Sequence, residues 1–252
     1  MVKKLGGQVS LKNDSELSSK QELLERMQNN LKNCGDAWEY HLPLYMTRQA
    51  LSRQLYFDML YRLILDVPGV ICEFGVQWGA SLATLSSLRG IYEPYNYSRQ
   101  LYGFDTFSGF SKVDPKDGNH CKVGDYNVPA GYESELRAIL SIHENNSPLA
   151  HIPKTHLIKG DACNTLTPWL EFNPHALIAM AIFDLDVYLP TKEALTAILP
   201  RLTRGSVLVF DELNCPQFPG ETMALAEVIG LDGLRLRRMP HQPYCAWAVW
   251  GE

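Results

Sequence analysis

Seven acidic residues fall where short apolar runs of this chain end: Glu73, Asp105, Asp161, Asp184, Asp186, Asp211 and Glu212. The densest group is Asp184-x-Asp186 with Asp211-Glu212. Residues i and i+2 of a strand face one side, and neighbouring strands lie ~5 Å apart. Four carboxylates at the ends of two adjacent strands can therefore converge. Carboxylates that close repel and raise each other's pKa unless a cation sits among them. An oxygen-only donor set favours a hard cation such as Mg²⁺, with water completing an octahedron. The plainer alternative is a set of separate helix caps and solvated loop acids.

The earlier acids suggest an organic ligand. Glu73 opens the stretch Glu73-Phe74-Gly75-Val76-Gln77-Trp78-Gly79-Ala80-Ser81. Its two glycines allow a tight strand-to-helix turn and close approach of a ligand to the backbone, and the helix that follows offers free N–H groups. The dinucleotide fingerprint GxGxxG is absent, since the glycine after Gly75 comes only at position 79. A carboxylate beside this turn repels a pyrophosphate and suits a ligand carrying an ammonium group. Asp105 can accept two hydrogen bonds from ribose hydroxyls, a feature common to nicotinamide and adenosylmethionine enzymes. Asp161 can bond the amine of an adenine or cap the next helix; both readings stand at this point.

The surrounding pattern supplies the elements that must hold these groups. The first ~20 residues read as a polar, loose tail. A polar helix is expected over 18–33, and a longer amphipathic one over 44–65 after Pro43. From there strands and helices alternate: strands over 70–75, 100–104, 155–159, 176–183 and 206–210, helices over 80–88, 133–144, 165–171, 191–202 and 220–229. Residues 106–134 read as a long surface loop. Runs 234–239 and 245–250 alternate like an antiparallel pair. This is the pattern of a parallel sheet covered on both faces, and open sheets of that kind bind ligands at the C-terminal ends of their strands.

Composition narrows the class. The 252 residues are 46% hydrophobic with 23 basic and 28 acidic side chains, too apolar and too weakly charged for a disordered chain. The longest apolar run, 176–183, is far short of a membrane span. The N-terminus has two lysines and no apolar stretch behind them, so no secretory signal is expected. A net charge of −5 argues against nucleic acid as a partner. The six cysteines are scattered, without metal spacing, and read as reduced thiols of a cytoplasmic protein.

The segments CEFGVQWGAS (72–81), YGFDTFSGF (102–110), GDYNVP (124–129), IKGDACNTL (158–166), IFDLDVYLPTKEAL (182–195) and VFDELNCPQFPGE (209–221) together resemble the macrocin O-methyltransferase family, from about Leu44 to the C-terminus. The resemblance implies an α/β, Rossmann-like class I methyltransferase fold: a seven-stranded, mostly parallel sheet with one antiparallel strand and an N-terminal helical extension. It implies transfer of a methyl group from S-adenosylmethionine to a hydroxyl of a sugar or other natural product, with Mg²⁺. By position, Glu73, Gly75, Gly79 and Ser81 match the turn that holds the methionine part of the cofactor. Asp105 matches the ribose-binding acid and Asp161 the adenine-side contact. Asp184, Asp211 and Glu212 match the Mg²⁺ ligands, and Asp186 the general base. Asp-Glu stands at 211–212 where related enzymes often have Asp-Asp, which changes the reach of the second ligand.

The expected organisation is an N-terminal tail and helices over 1–66 packing on a methyltransferase domain over 67–252, with a lid-like loop at 111–132. His120, Tyr126 and Tyr132 of that loop, and Arg48 or Arg53 upstream, could meet an acceptor or simply lie in water. A homo-oligomer is expected by family analogy. The competing readings are a nicotinamide-dependent oxidoreductase, disfavoured by the missing GxGxxG and by Glu73, and a non-catalytic family member, disfavoured by the intact acid set.

Overall fold

A computed structural model describes residues 3–5, 8–10 and 12–252. The chain divides into two compact units, Met1–Leu55 and Tyr56–Glu252. In the first, β1 (Lys3–Leu5) and β2 (Gln8–Ser10) form an antiparallel pair. The tail expected over the first ~20 residues is partly corrected: α1 (Asp14–Asn30) starts at Asp14. Asn13 and Glu16 form a reciprocal capping box there, each side chain accepting from the other's backbone N–H at 2.9 Å. Residues 1, 2, 6, 7 and 11, which belong to that expected tail, lie outside the described ones. After α2 (Trp38–His41), Pro43 sits in a separate 3-10 turn, Leu42–Tyr45. The long helix α3 (Arg48–Leu63) therefore starts later than the expected Leu44.

The second unit carries the sheet. In chain order it holds β3 (Val70–Phe74), α4 (Ala80–Tyr92), β4 (Leu101–Asp105), α5 (Tyr132–Asn145), β5 (Thr155–Lys159) and α6 (Ala162–Phe172). Then come β6 (Ile178–Phe183), α7 (Tyr188–Ile198), β7 (Leu202–Phe210), α8 (Gly220–Val228), β8 (Arg237–Arg238) and β9 (Ala246–Val249). The strand order is β5-β4-β3-β6-β7-β9-β8. The first five strands pair in parallel, and β9 runs antiparallel to both of its neighbours. The expected seven-stranded sheet with one reversed strand is what forms.

Alternation along each strand divides the core into two layers. Ile71, Leu101, Met180, Ile182, Val207 and Val209 pack with apolar residues of the second half of α3, α4 and α5. Cys72, Phe74, Phe104, Ala181, Phe183, Leu208 and Phe210 pack with α6, α7 and α8. Near the C-terminal ends, four phenylalanines share one register across β4, β3, β6 and β7. Phe104–Phe74, Phe74–Phe183 and Phe183–Phe210 stack with centroids 5.1, 5.3 and 5.2 Å apart, near the favourable range for offset rings. One residue further on stand Asp105, Gly75, Asp184 and Asp211.

Two expectations change here. Helix α7 ends at Ile198, and β7 begins at Leu202 rather than Ser206. The stretch 106–134 is not simply a surface loop. It contains a 3-10 turn at Pro115–Asp117, and Asp117, Cys121 and Val128 are buried. All six cysteines are free thiols, and no helix among the described residues is long and apolar enough to cross a membrane.

Candidate active site

A cavity of about 270 Å³ opens at the C-terminal ends of β3, β4 and β6. Glu73, Gly75, Gly79, Ser81, Asp105, Asp161, Asp184 and Asp186 all line it, whereas Asp211 and Glu212 do not. Its wall also includes Gln77 and Trp78 of the first turn, Tyr126, one of the loop residues expected to meet an acceptor or lie in water, and Phe110 and Ser111, to which the sequence assigns no role.

The first turn is shaped by its glycines. Gly75 has φ +93°, and a Cβ there would lie 1.8 Å from the carbonyl oxygen of Asp184. Gly79 has φ +80° and caps α4 with no side-chain hydrogen bond. The first turn of α4 thus keeps donors and a positive dipole end beside the cavity. Glu73 belongs to the strand itself and is buried at 1% exposure.

Asp105 turns out to be part of the architecture of that turn. Its Oδ2 accepts from the backbone N–H groups of Val76 and Gln77 at 2.7 and 2.8 Å. Its Oδ1 accepts from Phe107 N–H at 2.5 Å. One carboxylate therefore pins the loops after two strands. Asp161 caps α6, with Oδ1 accepting from Cys163 N–H at 2.9 Å and Oδ2 from the Ser111 hydroxyl at 2.5 Å. Burial would raise its pKa, but these hydrogen bonds and the Lys112 charge outweigh that and hold it below its usual value. The capping reading of Asp161 is realised, at a position that also borders the cavity.

On the other side, Asp184 N–H donates to Phe74 carbonyl at 2.8 Å and Asp211 N–H to Phe183 carbonyl at 3.0 Å. The parallel pairing of β3, β6 and β7 thus runs to the residues that carry the acids. Asp186 follows at φ +61°, 7% exposed, in a three-residue turn closed by Val187 N–H to Leu185 carbonyl at 2.7 Å. The Cys245 thiol, next to β9, donates to Asp211 Oδ1 at 3.0 Å.

A further acid lies in this group. Glu221, in the first turn of α8, is fully buried. Its Oε1 takes a long, 3.4 Å hydrogen bond from Glu212 N–H, and its Oε2 has no partner among the described residues. Burial pushes the Glu221 carboxyl well above the usual carboxylate range, and the charges of Asp211, Asp186, Asp184 and Glu212 push it the same way. Sequence reasoning read Glu221 only as part of a helix. No three His, Cys, Asp or Glu side chains among the described residues stand in ligand geometry for a metal ion. The charges that act on the buried Glu221 carboxyl all come from carboxylates, the donor type that a hard cation takes.

The segment 111–132 borders the same space. Tyr126, at φ +65°, lines the cavity between Phe110 and Phe218, with ring centroids at 5.3 and 6.1 Å. The Tyr132 hydroxyl donates to Trp78 carbonyl at 3.0 Å. His120 is half-buried and does not line the cavity.

Comparison with known proteins follows the same lines. The profile of the macrocin-O-methyltransferase (TylF) family matches residues 10–223. Among solved structures, the chain is similar to CalS11, a calicheamicin methyltransferase. In one CalS11 structure identity is 41% over 96% of this chain and 95% of that one, with a TM-score of 0.90. An apo structure of CalS11, named a TDP-rhamnose 3'-O-methyltransferase of calicheamicin biosynthesis, gives 39% identity over 96% and 97% of the two chains and a TM-score of 0.83. The O-methyltransferase NovP shares the fold, with 17% identity over 81% of each chain and a TM-score of 0.57. No curated protein matches.

Proposed function

Because the chain belongs to the macrocin O-methyltransferase family, and is on that ground an O-methyltransferase, we propose that it methylates a sugar hydroxyl with S-adenosylmethionine as donor. The observation that carries this reading is the single cavity bordered by Glu73, Gly75, Gly79, Asp105, Asp161, Asp184 and Asp186. Glu73 and the first turn of α4 suit the ammonium and carboxylate of a methionyl group, respectively. Asp105 holds the turn against which the ribose lies, and Asp161 and Ser111 border the adenine end. A net acidic wall favours a sulfonium donor over its neutral thioether product.

A carboxylate is far too weak a base to remove a sugar hydroxyl's proton in advance. Asp186 therefore accepts that proton as the oxygen displaces sulfur from the methyl carbon, in line, leaving S-adenosylhomocysteine. Asp184, Asp211 and Glu212 are the residues that would hold Mg²⁺, which when bound supplies positive charge for the developing alkoxide. What supports this part is their oxygen-only donor set and the unpartnered Glu221 oxygen beside them. The chain's own contribution is orientation: both reactants meet on a sheet edge whose strands are locked in register.

TDP-rhamnose, on which a relative of 39% identity is named as acting, is the first acceptor to test, followed by other nucleotide-linked and glycosidic sugars. Mass-spectrometric detection of a methyl ether that depends on S-adenosylmethionine is the expected result. Methylation confined to a non-sugar acceptor across such a panel would overturn the sugar reading. Activity that survives thorough EDTA treatment would remove the metal from it.

A further inference from the structure

The turn that carries Asp186 is conformationally costly. A residue with a Cβ at φ +61°, inside a turn closed over three residues, persists only where its surroundings over-determine it. On the N-terminal side the fixing contact is within the sheet, from Asp184 N–H to Phe74 carbonyl at 2.8 Å. On the C-terminal side α7 begins at Tyr188, and Val187 provides no side-chain cap. The Tyr188 N–H is instead taken by Asp117 Oδ1 at 2.5 Å, from 71 residues away.

Asp117 is well held for this task. It is 1% exposed. Its Oδ2 accepts from Asp114 N–H at 2.7 Å, and its carbonyl accepts from the Cys121 thiol at 3.4 Å. Gly220 closes the other side: a Cβ there would lie 2.3 Å from Asp117 Oδ1 and 2.6 Å from Tyr188 N. Outside this contact, Lys116 Nζ stands 3.8 Å from the centre of the Tyr188 ring and pairs with Glu227 at 3.0 Å.

We propose that Asp117 is a positioning residue for Asp186: its carboxylate, brought across by segment 111–132, fixes the turn 184–188 from the side the sheet does not reach. Six residues earlier the same segment bonds Asp161 through Ser111, so one stretch of chain braces both the Asp161 and the Asp186 sides of the cavity. This inference rests on reading Asp186 as the base. Its test needs no turnover, so the two fail separately.

The test is amide hydrogen exchange by mass spectrometry on the full, cofactor-free chain, comparing wild type with Asp117→Ala and Asp117→Asn. Calorimetric titration with S-adenosylhomocysteine runs alongside. In Asp117→Ala, peptides spanning 184–190 should exchange at least about tenfold faster, the loss of a hydrogen bond to a charged acceptor. Peptides from β3 and β4 should stay unchanged, and S-adenosylhomocysteine affinity within about threefold, since Asp117 does not line the cavity. In Asp117→Asn the amide oxygen can still accept from Tyr188. Protection over 184–190 should then return while 112–117 loosens, because the amide nitrogen cannot accept from Asp114. Unchanged exchange over 184–190 in Asp117→Ala overturns the proposal. So does a uniform rise across the sheet, or an Asp117→Asn variant that exchanges there as fast as the alanine form.

Discussion

Gly75→Ala tests the close approach of β3 and β6 at the mouth of the cavity. The added Cβ would lie 1.8 Å from the Asp184 carbonyl oxygen and 2.6 Å from its carbon. Both neighbours are backbone, so no rotamer change relieves the clash, and the two strand ends must part by more than about 1 Å to reach ordinary contact. The residue would also sit at φ +93°, a strain of roughly 1–2 kcal/mol for a side chain with a Cβ. Overpacking of this kind costs a further ~1–3 kcal/mol, giving a loss of about 2–5 kcal/mol. Displacement of Asp184 carries Asp186 with it, and a misplacement of ~1 Å costs on the order of 10²-fold in rate. Gly124→Ala is the control, since it shares a positive φ of +83° but meets nothing within 4 Å. Urea unfolding should rank wild type above Gly124→Ala above Gly75→Ala, and titration with S-adenosylhomocysteine should show weakened binding only for the last. Equal stability of the two variants, with wild-type affinity in Gly75→Ala, would refute the reasoning.

Three further outcomes follow from the site. Asp186→Asn should bind S-adenosylhomocysteine as wild type does and lose most turnover; near-normal turnover removes the base assignment. Asp105→Ala strips a charged acceptor from three backbone N–H groups. It should cost about 2–4 kcal/mol in urea unfolding and weaken S-adenosylhomocysteine binding; an unchanged midpoint with weakened binding would return Asp105 to a pure ligand role. Glu227 is held down from 4.5 to about 2 by hydrogen bonds from Lys192, Tyr188 and Lys116. A depressed acid contributes stability above its unfolded value and loses it as pH falls through the folded one. This exposed cluster should therefore loosen between about pH 4.5 and 2, by a small, salt-screened amount. Thermal midpoints of wild type and Glu227→Gln should converge over that range, and parallel curves would count against the cluster.

The strand ends were legible because each parallel strand is a short apolar run that stops at a glycine or a polar residue, and those stops are local. Hence β5 forms over the expected residues and all seven acids fall at one sheet edge. Contacts made across the chain were not legible. Asp114-Pro-Lys-Asp117 has the spacing of a capping box, a readable local signal for the turn, but nothing nearby says that Asp117 reaches Tyr188. Glu221 looks like any first-turn acid of a helix until α8 is packed beside β7. Asp105 was readable as an acid at a strand end, yet its oxygens point to amides of residues 76 and 77, a fact that requires the register of β3 against β4. At the N-terminus, Asn13 and Glu16 carried a local start signal, and the polar composition around them hid it.

That register also explains why a glycine interrupts the row of acids. Phe104, Phe74, Phe183 and Phe210 stack at one level across four strands, and the next residue on each strand is Asp105, Gly75, Asp184 or Asp211. An acid at all four positions would crowd like charges and leave β3 no room to turn. With glycine on β3, the backbone bends at φ +93° against Asp184, and the chain enters α4 with its first turn uncapped. The neighbouring Asp105 then spends its charge on the amides of that bend rather than on repelling Asp184. The cavity exists between Asp105 and Asp184 because the strand between them ends without a side chain.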